Sequence, residues 1–184
     1  ADALKTYELV DRACLSADLA EDLDYRMAYC YLRLADFDRA LPLFDRLTKT
    51  RSYGTAARFY QAYIAYARGN YAEAERMFKS VDTSSAPGNM ADYYLAQIYY
   101  LEGDYKKTLS TACNLLRRSG IEPSYIAEAN RLAGESLYQT GDASSAIPYL
   151  KKYVSAVDRP EASTLYILGV SQYNQGEYRD AVES

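Results

Sequence analysis

Histidine and tryptophan are absent from this 184-residue chain, and methionine, cysteine and proline are scarce. Without histidine, the chain lacks the commonest general base and one of the commonest metal ligands. The three cysteines, Cys14, Cys30 and Cys113, are odd in number and form no Cys-x-x-Cys pair. We therefore predict neither a disulfide framework nor a zinc site, and we expect three small core or near-surface thiols.

The signatures of catalysis are missing as well. The sequence has no nucleophile motif, no glycine-rich phosphate loop and no metal-ligand spacing. Glu128 and Glu135 lie seven residues apart on one predicted helix face, where they could form a carboxylate pair. Such pairs on a charged helix are typical of a solvated surface, which is the interpretation we adopt. We predict a non-enzyme with no catalytic residues, no cofactor and no metal.

The charge and the apolar pattern exclude two further classes. A net charge of -4 and a pI near 5.0 argue against a nucleic-acid platform, which would carry a basic patch. The pairs Lys106-Lys107 and Arg117-Arg118 are interpreted as the solvated face of one helix. No apolar run reaches the ~18 residues that a membrane span needs. We therefore predict no nucleic-acid partner and no membrane span.

A repeated motif runs through the chain. It begins with a small residue, which we call the anchor, followed by Asp, Asn or Glu and in most copies by an aromatic residue. The anchors are Ala35, Gly69, Gly103, Gly141 and Gly176, at intervals of 34, 34, 38 and 35 residues. A period of this length is typical of solenoid proteins.

Each anchor lies between two segments with helical periodicity, such as residues 93–101 before Gly103 and 71–81 after Gly69. Glycine suits the left-handed residue that ends a helix, and the following Asp or Asn suits the N-cap of the next helix. Asn70 and Glu73 resemble a capping box. The pattern predicts an all-α fold of eleven helices in antiparallel pairs, with no sheet.

These residues resemble the tetratricopeptide repeat (TPR), a 34-residue helix pair. Small residues stand seven positions before each anchor, at Ala28, Ala62, Ala96, Gly134 and Gly169. Small residues also stand five positions after most anchors, at Ala40, Ala74, Ala146 and Ala181. Gln61, Thr108 and Ala112 depart from the family pattern, and the family's tryptophan is missing. The resemblance implies a TPR-like right-handed α–α superhelix, or solenoid.

We expect a single TPR-like solenoid over residues 1–184. Its predicted parts are the second helix of a preceding unit at 1–16, then units at about 21–54, 55–88, 89–126, 127–161 and an incomplete 162–184. This arrangement resembles a fragment of a longer bacterial TPR array, and we expect self-association through cut repeat ends. The start Ala1-Asp2-Ala3 resembles exported arrays, which favours the periplasm or cell envelope over the cytoplasm.

Tyrosine is abundant, with 21 residues. Many stand at positions where the family uses tyrosine for packing. The resemblance also implies that the first helix of each unit lines a concave groove. The aromatic residues predicted to bind a partner there are Tyr25, Tyr29, Phe59, Tyr60, Tyr63, Tyr93, Tyr94 and Tyr100. Alternatively, a neighbouring domain or the next solenoid turn fills the groove.

The predicted function is a non-catalytic protein–protein interaction scaffold that binds a partner protein or peptide in the groove. The alternative is a regulatory domain that senses a peptide or small ligand and is attached to another module. The family's best-known peptide-binding members hold a C-terminal carboxylate with Lys and Asn. That clamp does not carry over, because the corresponding faces here are aromatic and apolar, with Arg26, Arg33 and Arg131 scattered among them.

Overall fold

A computed structural model describes residues 2–84 and 86–183. Over these residues the chain forms eleven α-helices and no strand, so the predicted all-α fold and helix count are confirmed. The helices are α1 (Asp2–Glu8), α2 (Ala17–Arg33), α3 (Phe37–Leu47), α4 (Gly54–Ala67), α5 (Tyr71–Lys79), α6 (Ala91–Leu101), α7 (Tyr105–Leu116), α8 (Pro123–Gln139), α9 (Ala143–Ala156), α10 (Ala162–Asn174) and α11 (Tyr178–Glu183). Short 3-10 helices span Arg12–Cys14 and Gly88–Met90.

The anchors end the first helix of each pair, as predicted. Gly69, Gly103, Gly141 and Gly176 have φ between 76° and 90°, in the left-handed region that glycine adopts without a steric penalty. Ala35 occupies the same place with φ 57° and has no such freedom. The repeat therefore places the same backbone turn at all five anchors.

Three aspartates after the anchors cap the second helices. The carboxylates of Asp36, Asp104 and Asp142 each accept from the backbone N–H three residues later. The capping box predicted at Asn70 is wrong, because the Asn70 side chain makes no capping hydrogen bond. Asn70 and the following Glu73 are exposed, so water can solvate the first N–H groups of α5.

The chain divides into two compact units, Ala1–Ala91 and Asp92–Ser184. In the first unit α1 packs on α2, α2 on α3, α3 on α4 and α4 on α5. The Tyr31 hydroxyl on α2 donates to the Glu8 carboxylate on α1 over 2.7 Å. The core of this unit includes the fully buried residues Ala28, Ala40, Phe44 and Ala57. Small and large apolar residues of α2, α3 and α4 thus share the core of the first unit.

In the second unit α7 packs on α8, α8 on α9, α9 on α10 and α10 on α11. A Cβ added to Gly134 on α8 would lie 2.5 Å from Leu150 Cδ2 on α9, so only glycine leaves room for this leucine. Ala96 on α6, also seven positions before its anchor, is buried at 1% exposure. Ala96 and Gly134 are therefore packing positions of this unit.

Candidate protein-binding surface

Two tyrosines of α2 and one of α4 lie together in the first unit. Tyr25 and Tyr29 are four residues apart and so share one face of α2, with ring centroids 6.4 Å apart. The Tyr60 ring lies 5.7 Å from that of Tyr29 and 6.4 Å from that of Tyr25. Tyr29 is 36% exposed, and the other two are half-buried. Three residues that the sequence predicted for the groove are thus in mutual contact.

Tyr53 completes this group, and the sequence did not predict it. Its ring stacks on Tyr25 with centroids 4.6 Å apart, and its hydroxyl donates to Asp22 Oδ1 over 2.8 Å. Tyr53 immediately precedes α4, outside the repeat positions assigned to the groove. Only the fold shows that this loop residue reaches α2. We call Tyr25, Tyr29, Tyr53 and Tyr60 the tyrosine surface.

The charges beside the tyrosine surface are paired with each other. Arg26 Nε donates to Asp22 Oδ2 over 2.6 Å, and the Arg26 guanidinium also hydrogen-bonds to the Tyr7 hydroxyl. The hydrogen bond from Arg26, followed by that from Tyr53, lowers the pKa of Asp22. Donation to this carboxylate raises the pKa of Tyr53. The surface therefore carries one neutralised ion pair rather than a net charge.

A cavity of about 370 Å³ opens between α1, α2 and the segment before α4. Pockets of this size are at the small end of those that hold ligands. Its lining residues are Ala3, Tyr7, Asp22, Tyr25, Arg26, Tyr29, Cys30 and Tyr53. Cys30 is a half-buried free thiol, and Cys14 and Cys113 are free as well. Aromatic faces and one ion pair thus form the wall of this cavity.

Phe59 and Tyr63, also predicted for the groove, lie on α4. Phe59 is only 4% exposed, with its ring edge-on to Tyr60 at 5.4 Å and to Phe78 at 5.7 Å. Tyr60 in turn stacks on the buried Phe44 at 5.3 Å. Tyr63 is half-buried and packs against the same core. Phe59 therefore supports the tyrosine surface from beneath.

The remaining predicted residues, Tyr93, Tyr94 and Tyr100, belong to α6 in the second unit and are half-buried. Tyr93 meets Tyr94 edge-on at 5.0 Å and Tyr125 at 4.7 Å. Tyr100 hydrogen-bonds to Glu135, and burial, followed by this bond, raises the pKa of Tyr100. Tyr100 is therefore held in a polar network, while Tyr93 and Tyr94 form an aromatic pair.

Glu135 is buried at 3% exposure, so its interpretation as part of a solvated face is wrong. Its carboxylate accepts from Arg131 over 3.0 Å and from the Thr164 hydroxyl over 2.5 Å. Arg131 also donates twice to Glu128, over 2.9 and 3.0 Å. Thr164 comes from α10, which one helix's pattern could not show. The carboxylates are paired through Arg131, which gives a structural network rather than an acid–base pair.

Two further kinds of site are absent from the part of the chain that the structure describes. Residues 2–84 and 86–183 contain no group of three or more Cys, Asp or Glu side chains arranged to hold a metal ion. None of the helices formed by these residues is both long and apolar enough to cross a bilayer.

Comparisons with known proteins agree on one fold. The family model described as "Tetratricopeptide repeat" matches residues 25–89 and 131–184. No curated protein sequence matches the chain. Among solved structures, MamA from Desulfovibrio magneticus RS-1 is 18% identical, with a TM-score of 0.68 over 89% of each chain.

Two other solved structures are similar. YrrB, described as a TPR protein with an unusual peptide-binding site, is 19% identical, with a TM-score of 0.67 over 88% of this chain and 80% of YrrB. PilW, described as a widely conserved type IV pilus biogenesis factor, is 19% identical, with a TM-score of 0.65 over 99% of this chain and 78% of PilW. At these identities the similarity concerns the fold alone.

Proposed function

Because the chain belongs to the tetratricopeptide repeat family, we propose that it is a non-catalytic scaffold that binds a partner protein or peptide. The observation that carries this proposal is the tyrosine surface of the first unit. It combines large aromatic side chains, partial exposure and an ion pair that is already neutralised. Tyrosines of this kind are frequent anchors of protein interfaces, since they give large contact area at low entropic cost.

The proposed contact residues are Tyr25, Tyr29 and Tyr60, with Tyr53 added and Phe59 acting as support. Tyr63, Tyr93, Tyr94 and Tyr100 remain proposed contacts from the repeat positions. Peptide binding by a protein of the same fold, as the description of YrrB states, supports this class of function. The predicted alternative, a sensing domain attached to another module, has no observation of its own in its favour.

The test is affinity capture from an extract of the source organism, with mass spectrometry of the proteins retained by wild type, Tyr29→Ala and Leu101→Ala. Leu101 is the control, because it is an apolar residue of α6 that is 58% exposed and lies outside the tyrosine surface. We expect at least one protein to be retained by wild type and the control but depleted about tenfold by Tyr29→Ala.

Circular dichroism of each variant checks that it is folded. If folded Tyr29→Ala retains every protein that wild type retains, at equal yield, the tyrosine surface is not the docking site. Tyr60→Ala and Tyr94→Ala, compared with the exposed Lys107→Ala, then test the wider set of proposed contacts in the same way.

A further inference from the structure

An apolar cavity of about 460 Å³ lies between α10 and α11 in the second unit, away from the tyrosine surface. We propose that this cavity is a second docking site, which binds an amphipathic α-helix of a partner protein through aliphatic side chains of that helix. The inference goes beyond the proposed function, because it does not depend on the tyrosine surface. It rests on the groove one repeat earlier, on the exposure of equivalent residues and on the chemistry of the lining.

The groove one repeat earlier shows what such a cavity can hold. α8 and α9 form that groove, and α10 packs on both of them. Ile167 and Leu168 of α10 lie in one core cluster with Ala146 and Ile147 of α9. α10 and α11 flank the next anchor as α8 and α9 flank theirs. The cavity between α10 and α11 is therefore equivalent to a groove that accepts a helix inside the same protein.

Equivalent residues of the two grooves differ in exposure. Ile147 and Val182 each stand six residues after their anchor, and they are 7% and 88% exposed. Three residues before the anchors, Tyr138 is half-buried, whereas Tyr173 is 63% exposed. The second groove thus presents to solvent the kind of side chain that α10 helps to bury in the first. A helix that covered it would remove this apolar surface from water, which favours association.

One difference between the grooves selects the residues of the incoming helix. Thr164 of α10 donates to Glu135 in the earlier groove, but Val170 stands at the position equivalent to Glu135. A hydroxyl placed opposite Val170 would lose its hydrogen bonds to water without gaining this acceptor. The occupant should therefore carry an aliphatic residue where α10 carries Thr164, as well as where it carries Ile167 and Leu168.

The charges near the cavity favour the same class of partner. The residues that line it are aliphatic side chains, glycine and tyrosines of α10 and α11, with no carboxylate, ammonium or guanidinium among them. Next to α11, Lys151 binds Asp180 over 2.7 Å and Glu177 over 3.5 Å, so these exposed charges are paired with each other. Apolar side chains of the partner helix, rather than charges, should therefore provide the contact.

The probe is a fluorescein-labelled peptide with the sequence of residues 161–175, which contains α10, and its binding to the chain is measured by fluorescence anisotropy. We expect the Thr164→Val peptide to bind about fivefold more tightly than the unsubstituted peptide. A peptide with Ile167→Glu and Leu168→Glu should bind at least about tenfold more weakly.

Variants of the chain locate the peptide. Val182→Glu should weaken binding of the Thr164→Val peptide about tenfold, whereas Leu101→Glu, on an exposed residue of α6, should change it less than about twofold. Tyr173→Ala is a second variant and should weaken binding about fivefold, and circular dichroism checks that each variant is folded. Because Val182→Glu leaves the groove of α8 and α9 intact, a loss of binding places the peptide between α10 and α11.

Three results overturn the proposal: no binding of the Thr164→Val peptide, equal binding of the peptide with two glutamates, or binding that Val182→Glu and Tyr173→Ala leave unchanged. Sedimentation velocity tests a second copy of the chain as the occupant. We expect the Thr164→Val peptide to dissociate copies that associate through this face. If Val182→Glu prevents self-association and the peptide does not, the face is an interface between copies and the partner helix is wrong. The proposed function is tested separately by Tyr29→Ala, so either proposal can fail alone.

Discussion

One repeat of the first unit and one repeat of the second use the same positions for opposite purposes. Ten and six residues before its anchor, the first unit has Tyr25 and Tyr29, whose rings are partly exposed. At the corresponding positions of α8, the second unit has Arg131 and Glu135, which bind each other over 3.0 Å and are largely buried. The repeat therefore determines where these side chains lie on the helix. It does not determine whether they remain exposed or become buried.

The difference arises from what the neighbouring helices supply. In the second unit Thr164 of α10 and Tyr100 of α6 both hydrogen-bond to Glu135, so its acceptors are satisfied inside the protein. In the first unit Tyr29 stacks on Tyr25 and meets Tyr60 edge-on, and 36% of Tyr29 remains exposed. In these two repeats the polar pair belongs to the internal structure, and the aromatic pair leaves a contact surface.

The largest expected effect concerns Glu135. Glu135→Ala removes the acceptor of Thr164 and Tyr100, and we expect a loss of about 3 kcal/mol in the free energy of unfolding, since two hydroxyl donors lose their buried acceptor while Arg131 keeps its ion pair with Glu128. Tyr29→Ala, at the corresponding position of the first unit, should cost less than about 1 kcal/mol. Urea unfolding followed by circular dichroism measures both. Equal losses would mean that the two surfaces do not differ as described.

The next effect concerns the crossing at Gly134. Gly134→Ala places a Cβ within 2.6 Å of two Leu150 atoms, and we expect overpacking to cost about 2 kcal/mol. Gly169→Ala is the matched control, because it stands at the same repeat position but borders a cavity of the α10–α11 face. Helix propensity should make Gly169→Ala neutral or stabilising by about 0.5–1 kcal/mol. The melting temperatures of the two variants should therefore shift in opposite directions from that of wild type. A shift of both in the same direction would contradict this packing.

The α10–α11 face provides the test of self-association. It holds a cavity of about 460 Å³ and exposes Tyr166, Tyr173, Tyr178 and Val182, with Val182 at 88%. We expect concentration-dependent association in sedimentation velocity, weakened about tenfold by Val182→Glu, since contiguous apolar surface of this kind mediates contacts. Leu101→Glu, on an exposed residue of α6, should leave association unchanged. A chain that stays monomeric at millimolar concentration would contradict this prediction.

The smallest effect is the pH dependence of the Asp22 interaction. Its pKa is lowered in the folded chain, so its contribution to stability is present above the unfolded value of about 3.9 and is lost as the pH falls through the folded pKa. Because about a third of the side chain is exposed, Asp22→Asn should lower the melting temperature by only about 1–2 °C at pH 7.

The difference between wild type and Asp22→Asn should be largest near pH 7 and should shrink as the pH falls below the unfolded pKa of about 3.9 and through the lowered pKa of the folded state. Asp158→Asn, on an exposed residue of the connection between α9 and α10, is the control and should leave the melting temperature nearly unchanged at pH 7 and at pH 2. A difference for Asp22→Asn that is the same at pH 7 and pH 2 would exclude an electrostatic origin.

Local rules explain how much of the fold could be predicted. The turn at Gly103 and the cap at Asp104 depend on residues within one turn of each other, so the sequence displays them directly. The missing cap at Asn70 shows the limit, because exposure to water can replace a side-chain acceptor without any change in sequence pattern. Helix count and turn positions were therefore predictable, and individual capping bonds were less so.

The candidate surface was predictable only where it lies within helices. Tyr25, Tyr29 and Tyr60 follow from their positions relative to the anchors, whereas Tyr53 reaches Tyr25 from a connecting segment of a different pair. Likewise, Glu135 is buried because residues of two other helices cover it. Contacts between elements distant in sequence depend on how the helices pack. The periodicity of residues along one helix does not show that packing.

The ion pair between Asp22 and Arg26 affects the rate at which a partner can associate. An ion pair that neutralises itself produces little long-range field, so it cannot accelerate the approach of a charged partner. Association would then occur at the unsteered rate of about 10⁵–10⁶ M⁻¹s⁻¹ and would depend little on ionic strength. Under those conditions differences in affinity arise mainly from the dissociation rate, so substitutions on the tyrosine surface should change the lifetime of a complex more than its rate of formation.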